Sequence, residues 1–177
     1  METEKKIRLA FAEDVRAVSR IYDHIHDAEE ANRASIGWVR GVYPTVHTAE
    51  EAITRRDLFV YEEEGQIMAS GIVNQIQPPA YAEGNWAAAA APEEVMVLHT
   101  LVVDPGWSGK GIAHAFVQFY EEYARQAGCR VLRIDTQEKN HAARHLYAGM
   151  GFQEVDIVSC EFNNIKSVRL VLLEKGL

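Results

Sequence analysis

The sequence predicts a mixed α/β fold in which about four helices pack on a mainly antiparallel sheet of six or seven strands. Three observations carry that prediction. Val95–Val103 is apolar at nearly every position, as expected of a strand buried on both faces. An amphipathic stretch and a second apolar run, Cys129–Ile134, follow it, and a strand–helix–strand succession closes as a right-handed parallel crossover. Two pairs of short apolar runs, joined through Glu64-Gly65 and Asn163-Asn164, flank this unit as antiparallel hairpins.

Ile7–Ala10 reads as a first short strand. Glu13 and Asp14 then open a helix with apolar positions at Val18, Ile21, Ile25 and Ala28, the acids complementing the positive helix start. Ile36–Thr45 holds two glycines, a proline, Trp38 and Tyr43, and is expected to be a loop with large aromatic groups. A second helix follows Thr48, which forms a capping box with Glu51 in this reading. Asp57–Tyr61 and Ile67–Ile76 form the first hairpin, and three prolines and an alanine run make Gln77–Pro92 a long loop. Beyond the central strand, Gly109–Ala127 presents Ile112, Ala115, Phe116, Phe119, Tyr120 and Tyr123 at helical spacing and ends at Gly128. After Cys129–Ile134, a short helix from Asn140 to Ala148 turns Ala143, Leu146 and Tyr147 inward, and Phe152–Cys160 and Ser167–Leu173 complete the chain.

A length of 177 residues with 47% hydrophobic and 25% charged content is that of one soluble domain, taken as residues 1–177. Eighteen basic against 26 acidic residues give a net charge of −8, which argues against nucleic acid or an anionic membrane as partner. The longest apolar run is far too short to span a bilayer and no secretory core opens the chain, so a cytoplasmic location is expected. Cys129 and Cys160, outside any CxxC pair, read as reduced and buried. No metal is expected: His141 and His145 lack the glutamate of a zincin helix, and His24 and His26 read as a solvated helix face.

Chemistry concentrates in Val102–Phe116, where the central strand ends at Asp104-Pro105 and a glycine-rich turn opens into a helix. The first N–H groups of a helix lack internal partners and attract anions. Gly109 and Gly111 would let a phosphate approach the backbone. Neither a Walker loop nor a dinucleotide fingerprint fits: Gly111 follows Lys110 where Ser or Thr is required, and His114 stands where a third glycine should.

What matches is Q/R-x-x-G-x-G/A, as Ser108-Gly109-Lys110-Gly111-Ile112-Ala113, together with N-x-x-A-x-x-L-Y and G-F, as Asn140, Ala143, Leu146, Tyr147, Gly151 and Phe152. In these motifs the chain resembles the GNAT superfamily of acetyl-CoA-dependent N-acetyltransferases, with Ser108 departing from the usual Gln or Arg. The resemblance implies a sheet splayed at its centre and acetyl-CoA as co-substrate, without metal. It places the pyrophosphate on the amides of Gly109–Ala113 with Lys110 on the solvent side. Pantetheine would lie along Leu101, Val102 and Val103, with Asn140 and Ala143 beside it, and Tyr147 would protonate the departing thiolate. The loop aromatics Trp38, Tyr43, Tyr81 and Trp86 would border the acceptor.

The general base is open. His99 is the one titratable side chain inside the central strand, and simple alternation puts it on the face of Leu101 and Val103; it is a candidate base or acceptor contact, with Glu93 and Glu94 as competitors. The implied reaction is direct transfer of acetyl from the thioester to an amine on a small molecule or peptide. A silent CoA-binding module, or transfer of another acyl chain or to another acceptor, is the rival, and a homodimer is left open.

Overall fold

A computed structural model describes residues 6–177; residues 1–5, the start of the span expected to form the domain, lie outside it. The strands are β1 (Ile7–Leu9), β2 (Leu58–Glu63), β3 (Gln66–Asn74), β4 (Val95–Val103), β5 (Val131–Gln137), β6 (Gln153–Phe162) and β7 (Ile165–Gly176). The helices are α1 (Val15–Glu30), α2 (Val46–Arg55), α3 (Ile112–Gln126) and α4 (His141–Gly149). All seven strands join one sheet in the order β1-β2-β3-β4-β5-β7-β6. The expected mainly antiparallel architecture is therefore present, with β4 and β5 pairing in parallel across the α3 crossover. The placement of β7 between β5 and β6 was not legible from the order of elements.

Each face of the sheet is sealed differently. On one face α3 and α4 bury Phe116, Tyr120 and Tyr147 against Met96, Leu98, Leu132 and Ile134. On the other, α1 and α2 cover Leu58, Val60, Ile72 and Val102, while the long loop after β3 sets Tyr81 and Trp86 over Val95, Val97, Val131 and Leu172. Burial of these side chains, at about 1.5–3 kcal/mol each, is what drives the strands and helices together. Tyr120 of α3 adds a directional tie, its hydroxyl donating to the carbonyls of Met96 (2.7 Å) and Arg133 (3.0 Å) on adjacent strands.

Two irregularities shape the centre of the sheet. Pairing of β4 with β5 stops at Leu98 and Ile134, although both strands continue. The strands splay from that rung onward, leaving the inward backbone groups of β4 without a β5 partner. On its other side β4 carries a bulge: Ile72 pairs with His99 and Ser70 with Val102, so Thr100 and Leu101 together face Gly71, and Thr100 takes φ of 51°. A Cβ on Gly71 would lie 2.8 Å from the Phe116 ring, so the bulge can pack under α3 only with glycine opposite it.

The bulge corrects the alternation expected from sequence. Leu101 and Val103 pack with the α3 face, whereas Val102 joins the α1 face and Val97 the loop side, so His99 does not share a face with Leu101 and Val103. Three smaller corrections follow from geometry. α2 begins at Val46, and its cap is the Thr45 N–H donating to Thr48 Oγ1 at 3.0 Å, not a Thr48–Glu51 box. Cys160 is only partly buried, on a strand at the sheet edge. His26 is buried, its Nε2 2.9 Å from the Pro44 carbonyl, so α1 presents no solvated histidine pair there.

Candidate active site

The strand-to-helix turn after β4 is held in place before any ligand is considered. Asp104 accepts from the Gly106 N–H at 3.0 Å and lies 2.9 Å from His24 Nδ1 of α1, while Ser108 Oγ donates to the Pro105 carbonyl at 3.0 Å. Ser108 thus spends its hydroxyl inside the turn. Gly109 and Gly111 then adopt φ of 75° and 76°, a left-handed conformation costly for side chains, and a Cβ at either would meet nothing within 4 Å. The first α3 hydrogen bond runs from the Ala115 N–H to the Gly111 carbonyl. The amides of Ile112, Ala113 and His114 therefore lack helical partners, with exposed Lys110 beside them. Unpartnered N–H groups at a helix start are donors for an anion.

The opening between β4 and β5 is a cleft with about 120 Å³ of internal volume. Leu98–Leu101 form one wall and Ile134–Gln137 the other; Asn140, Ala143 and Tyr147 close it from α4, and Trp38 and Tyr43 overhang it from the loop after α1. Asn140 caps α4 by accepting from the Ala143 N–H at 3.2 Å, which orients the helix so that Ala143 and Tyr147, four residues on, look into the same space. Tyr43 hydrogen-bonds through its hydroxyl to Thr100 at the bulge. Burial raises the Tyr147 hydroxyl pKa and lifts that of Tyr43 to about 12, so both hydroxyls are protonated at neutral pH.

Two titratable side chains face this cleft from the loop side of the sheet. His99 Nε2 lies 2.7 Å from Asn74 Oδ1. Asn74 is oriented by its own amide donating to Asp57 and by the Ile76 N–H donating to its oxygen, so that oxygen can only accept and His99 carries its proton on Nε2. Burial lowers its pKa to about 4, leaving a neutral and weakly basic ring. Asp135 accepts from the Tyr81 hydroxyl at 2.7 Å, and burial raises its pKa to about 6. It is an ionised carboxylate at neutral pH, yet one ready to take a proton.

Residues 18–152 match the sequence model of the Acetyltransferase (GNAT) family. The chain belongs to the GNAT family. An N-acetyltransferase of Methanocaldococcus jannaschii, itself uncharacterised, is 30% identical over 84 residues, 48% of this chain and 37% of that protein. A streptothricin acetyltransferase of Escherichia coli is 34% identical over 67 residues, 38% of this chain and 35% of that one. The chain thus spans little more than a third of the length of these curated relatives. Over whole chains, a GNAT-family acetyltransferase of Streptococcus agalactiae superposes with a TM-score of 0.80 at 23% identity, covering 97% of this chain and 94% of the other. A Salmonella typhimurium acetyltransferase structure with its cofactor acetyl-CoA gives 0.68 at 18% identity, covering 97% and 92%. These two likenesses bear on the fold.

Of the residues singled out from sequence, this GNAT chain gathers His99, Leu101, Asn140, Ala143, Tyr147, Trp38 and Tyr43 around one cleft. It does not bring Trp86 there: that ring stacks 4.3 Å from the Arg133 guanidinium under the long loop. Tyr81 is buried beneath the cleft and reaches it only through Asp135. Glu93 and Glu94 lie off the cleft, Glu94 being paired with Arg130 at 2.8 Å. Sequence reasoning missed Asp135, Thr100 and Asn74. The one available signal for Asp135 was a lone acid in the apolar strand preceding Asn140; nothing local marks the other two.

Proposed function

We propose that the protein transfers the acetyl group of acetyl-CoA to an amine by direct attack on the thioester. The observation that carries this reading is the entry of Asp135 and Tyr147 into one cleft from opposite faces of the sheet, an arrangement that only the β4–β5 splay permits. The Gly109–Ala113 turn supports binding of the diphosphate, and the freed backbone of β4 at Leu101–Val103 supports an extended pantetheine arm and polarisation of the thioester carbonyl. Asp135 is the proposed proton acceptor. Its carboxylate attracts the acceptor's ammonium, which gives up one proton to water to become the attacking neutral amine; Asp135 then takes the second proton from nitrogen as the C–N bond forms. Tyr147 then gives its hydroxyl proton to the sulfur as the C–S bond breaks, an N-acetyl amine and CoA thiol leave, and the proton held by Asp135 returns through water to the Tyr147 oxygen, restoring both groups. His99, with a pKa near 4, is a poorer proton acceptor than Asp135 and is read as a wall of the cleft.

The test is release of free CoA across a panel of amines. Tyr147→Phe keeps the ring and its packing on Phe152 (5.9 Å between centroids) but removes the hydroxyl. Turnover is expected to fall about 10²- to 10⁴-fold with CoA affinity unchanged. Unchanged turnover per folded molecule would make Tyr147 a core residue, and no CoA release with any amine would favour a silent CoA-binding module.

A further inference from the structure

The long loop between β3 and β4 is strapped to the sheet by buried polar groups that contribute little to stability as such. Arg133 of β5 and Glu174 of β7 form an ion pair at 3.0 Å with side chains 7% and 6% exposed. Such pairs commonly do no better than an apolar replacement, because desolvation offsets the attraction. What this pair does is fix the loop. Glu174 accepts from the Ala87 and Ala88 N–H groups, and Arg133 donates to the Ala88 carbonyl and to Gln77 Oε1. Trp86 lies against Arg133, donates through Nε1 to the Tyr81 carbonyl at 2.7 Å, and packs on the Tyr81 ring at 5.0 Å. The consequence of all these contacts is the position of one hydroxyl, that of Tyr81, 2.7 Å from Asp135 Oδ2.

We propose that Tyr81 is a positioning residue for the acyl transfer, its hydroxyl holding Asp135 Oδ2 so that the carboxylate stays ionised and offers Oδ1 to the acceptor amine. This rests on the reading of Asp135 as proton acceptor. A hydrogen bond to the charged form favours that form, and it opposes the burial that pushes the proton back on. Four other titratable groups surround the carboxyl: Tyr43 from the loop after α1, Tyr147 from α4, His99 from β4 and Cys160 from β6. β7 contributes the apolar Leu170 and Leu172. The tyrosines and the cysteine titrate at higher pH and His99 near 4, so a transition around pH 6 belongs to Asp135.

The experiment is a ¹³C titration of the Asp135 carboxyl by NMR in the wild-type protein and in Tyr81→Phe, alongside the pH dependence of kcat/KM for one amine. Removing the hydroxyl is expected to raise the Asp135 midpoint by about one pH unit and to carry the acidic limb of kcat/KM with it. An unmoved midpoint overturns the proposal. A moved midpoint with an unmoved limb shows that Tyr81 holds the carboxyl but that Asp135 is not the proton acceptor, which overturns the catalytic role and the underlying reading together. Should the variant fail to fold, the wild-type Tyr81 ¹³Cζ resonance decides: it is expected to inflect with Asp135 near pH 6, and a flat response between pH 4.5 and 8 overturns the hydrogen-bonded pair.

Discussion

Burial penalises the charged forms of Asp135 and His99, and that penalty sets how stability responds to acid. The folded state raises the Asp135 pKa from an ordinary 3.8 to about 6. Folded protein therefore binds more protons than unfolded chain between those values, and the Asp135 contribution to stability falls as pH rises through that window. His99 acts in the opposite sense: its pKa drops from 6.5 to about 4, so its contribution is complete above 6.5 and is lost as pH falls. Asp135→Asn keeps an oxygen for the Tyr81 hydroxyl and removes the buried charge. The variant is expected to be more stable than wild type at pH 7 by about 1–2 kcal/mol, allowing for water at the cleft mouth, with the advantage gone at pH 4. Urea denaturation at both pH values measures this; equal stability at pH 7 would mean the carboxylate is well solvated. The same substitution should abolish turnover, since a stabilised site that has lost its reactive group is the usual trade.

At the scale of elements, two departures from regular structure make the site: the bulge in β4 and the left-handed turn before α3. The turn places Gly111 at φ 76° as the residue preceding α3, so any side chain there is strained even though space is open. Gly111→Val is expected to fold with a loss of about 1–2 kcal/mol or more, a branched residue being poorly accommodated at positive φ. The more telling measurement is ligand linkage. Acetyl-CoA at 100 times its dissociation constant should stabilise wild type by about 2.7 kcal/mol and the variant by much less. A variant with the full ligand-induced shift in Tm would remove the phosphate role from this turn.

For the whole molecule, the net charge of −8 is less available for attracting an amine than the sequence implies. Acids at Asp27–Glu30, Glu50, Glu51, Glu93 and Glu94 would together create a field attracting cations if all were unpaired. The fold assigns several of them elsewhere: Arg40 binds Asp27 and Glu30, Glu29 accepts from the Ile36 and Gly37 N–H groups, and Arg130 takes Glu94. The remaining long-range attraction is expected to be modest. For a cationic acceptor at saturating acetyl-CoA, kcat/KM should fall several-fold as ionic strength rises and the screening length contracts from about 30 Å at 0.01 M to about 10 Å at 0.1 M. A flat response would leave recognition to Asp135 and the shape of the cleft.

Local chemistry determined the existence and order of the strands and helices and the glycine turn, because hydrophobic period and turn glycines act over a few residues; the start of α2 at Val46 was not among what it determined. Val95–Val103 was readable to the residue for that reason. What needed the tertiary structure was every relation between distant segments. The insertion of β7 beside β5, the bulge that turns His99 away from the face of Leu101, and the pairing of Tyr81 with Asp135 across 54 positions leave no local trace. Asp135 lies one residue past the strand the sequence predicts, and its place in the cleft follows from the splay beside it. Its pKa, like its role, is set by burial and by a donor brought from another part of the chain.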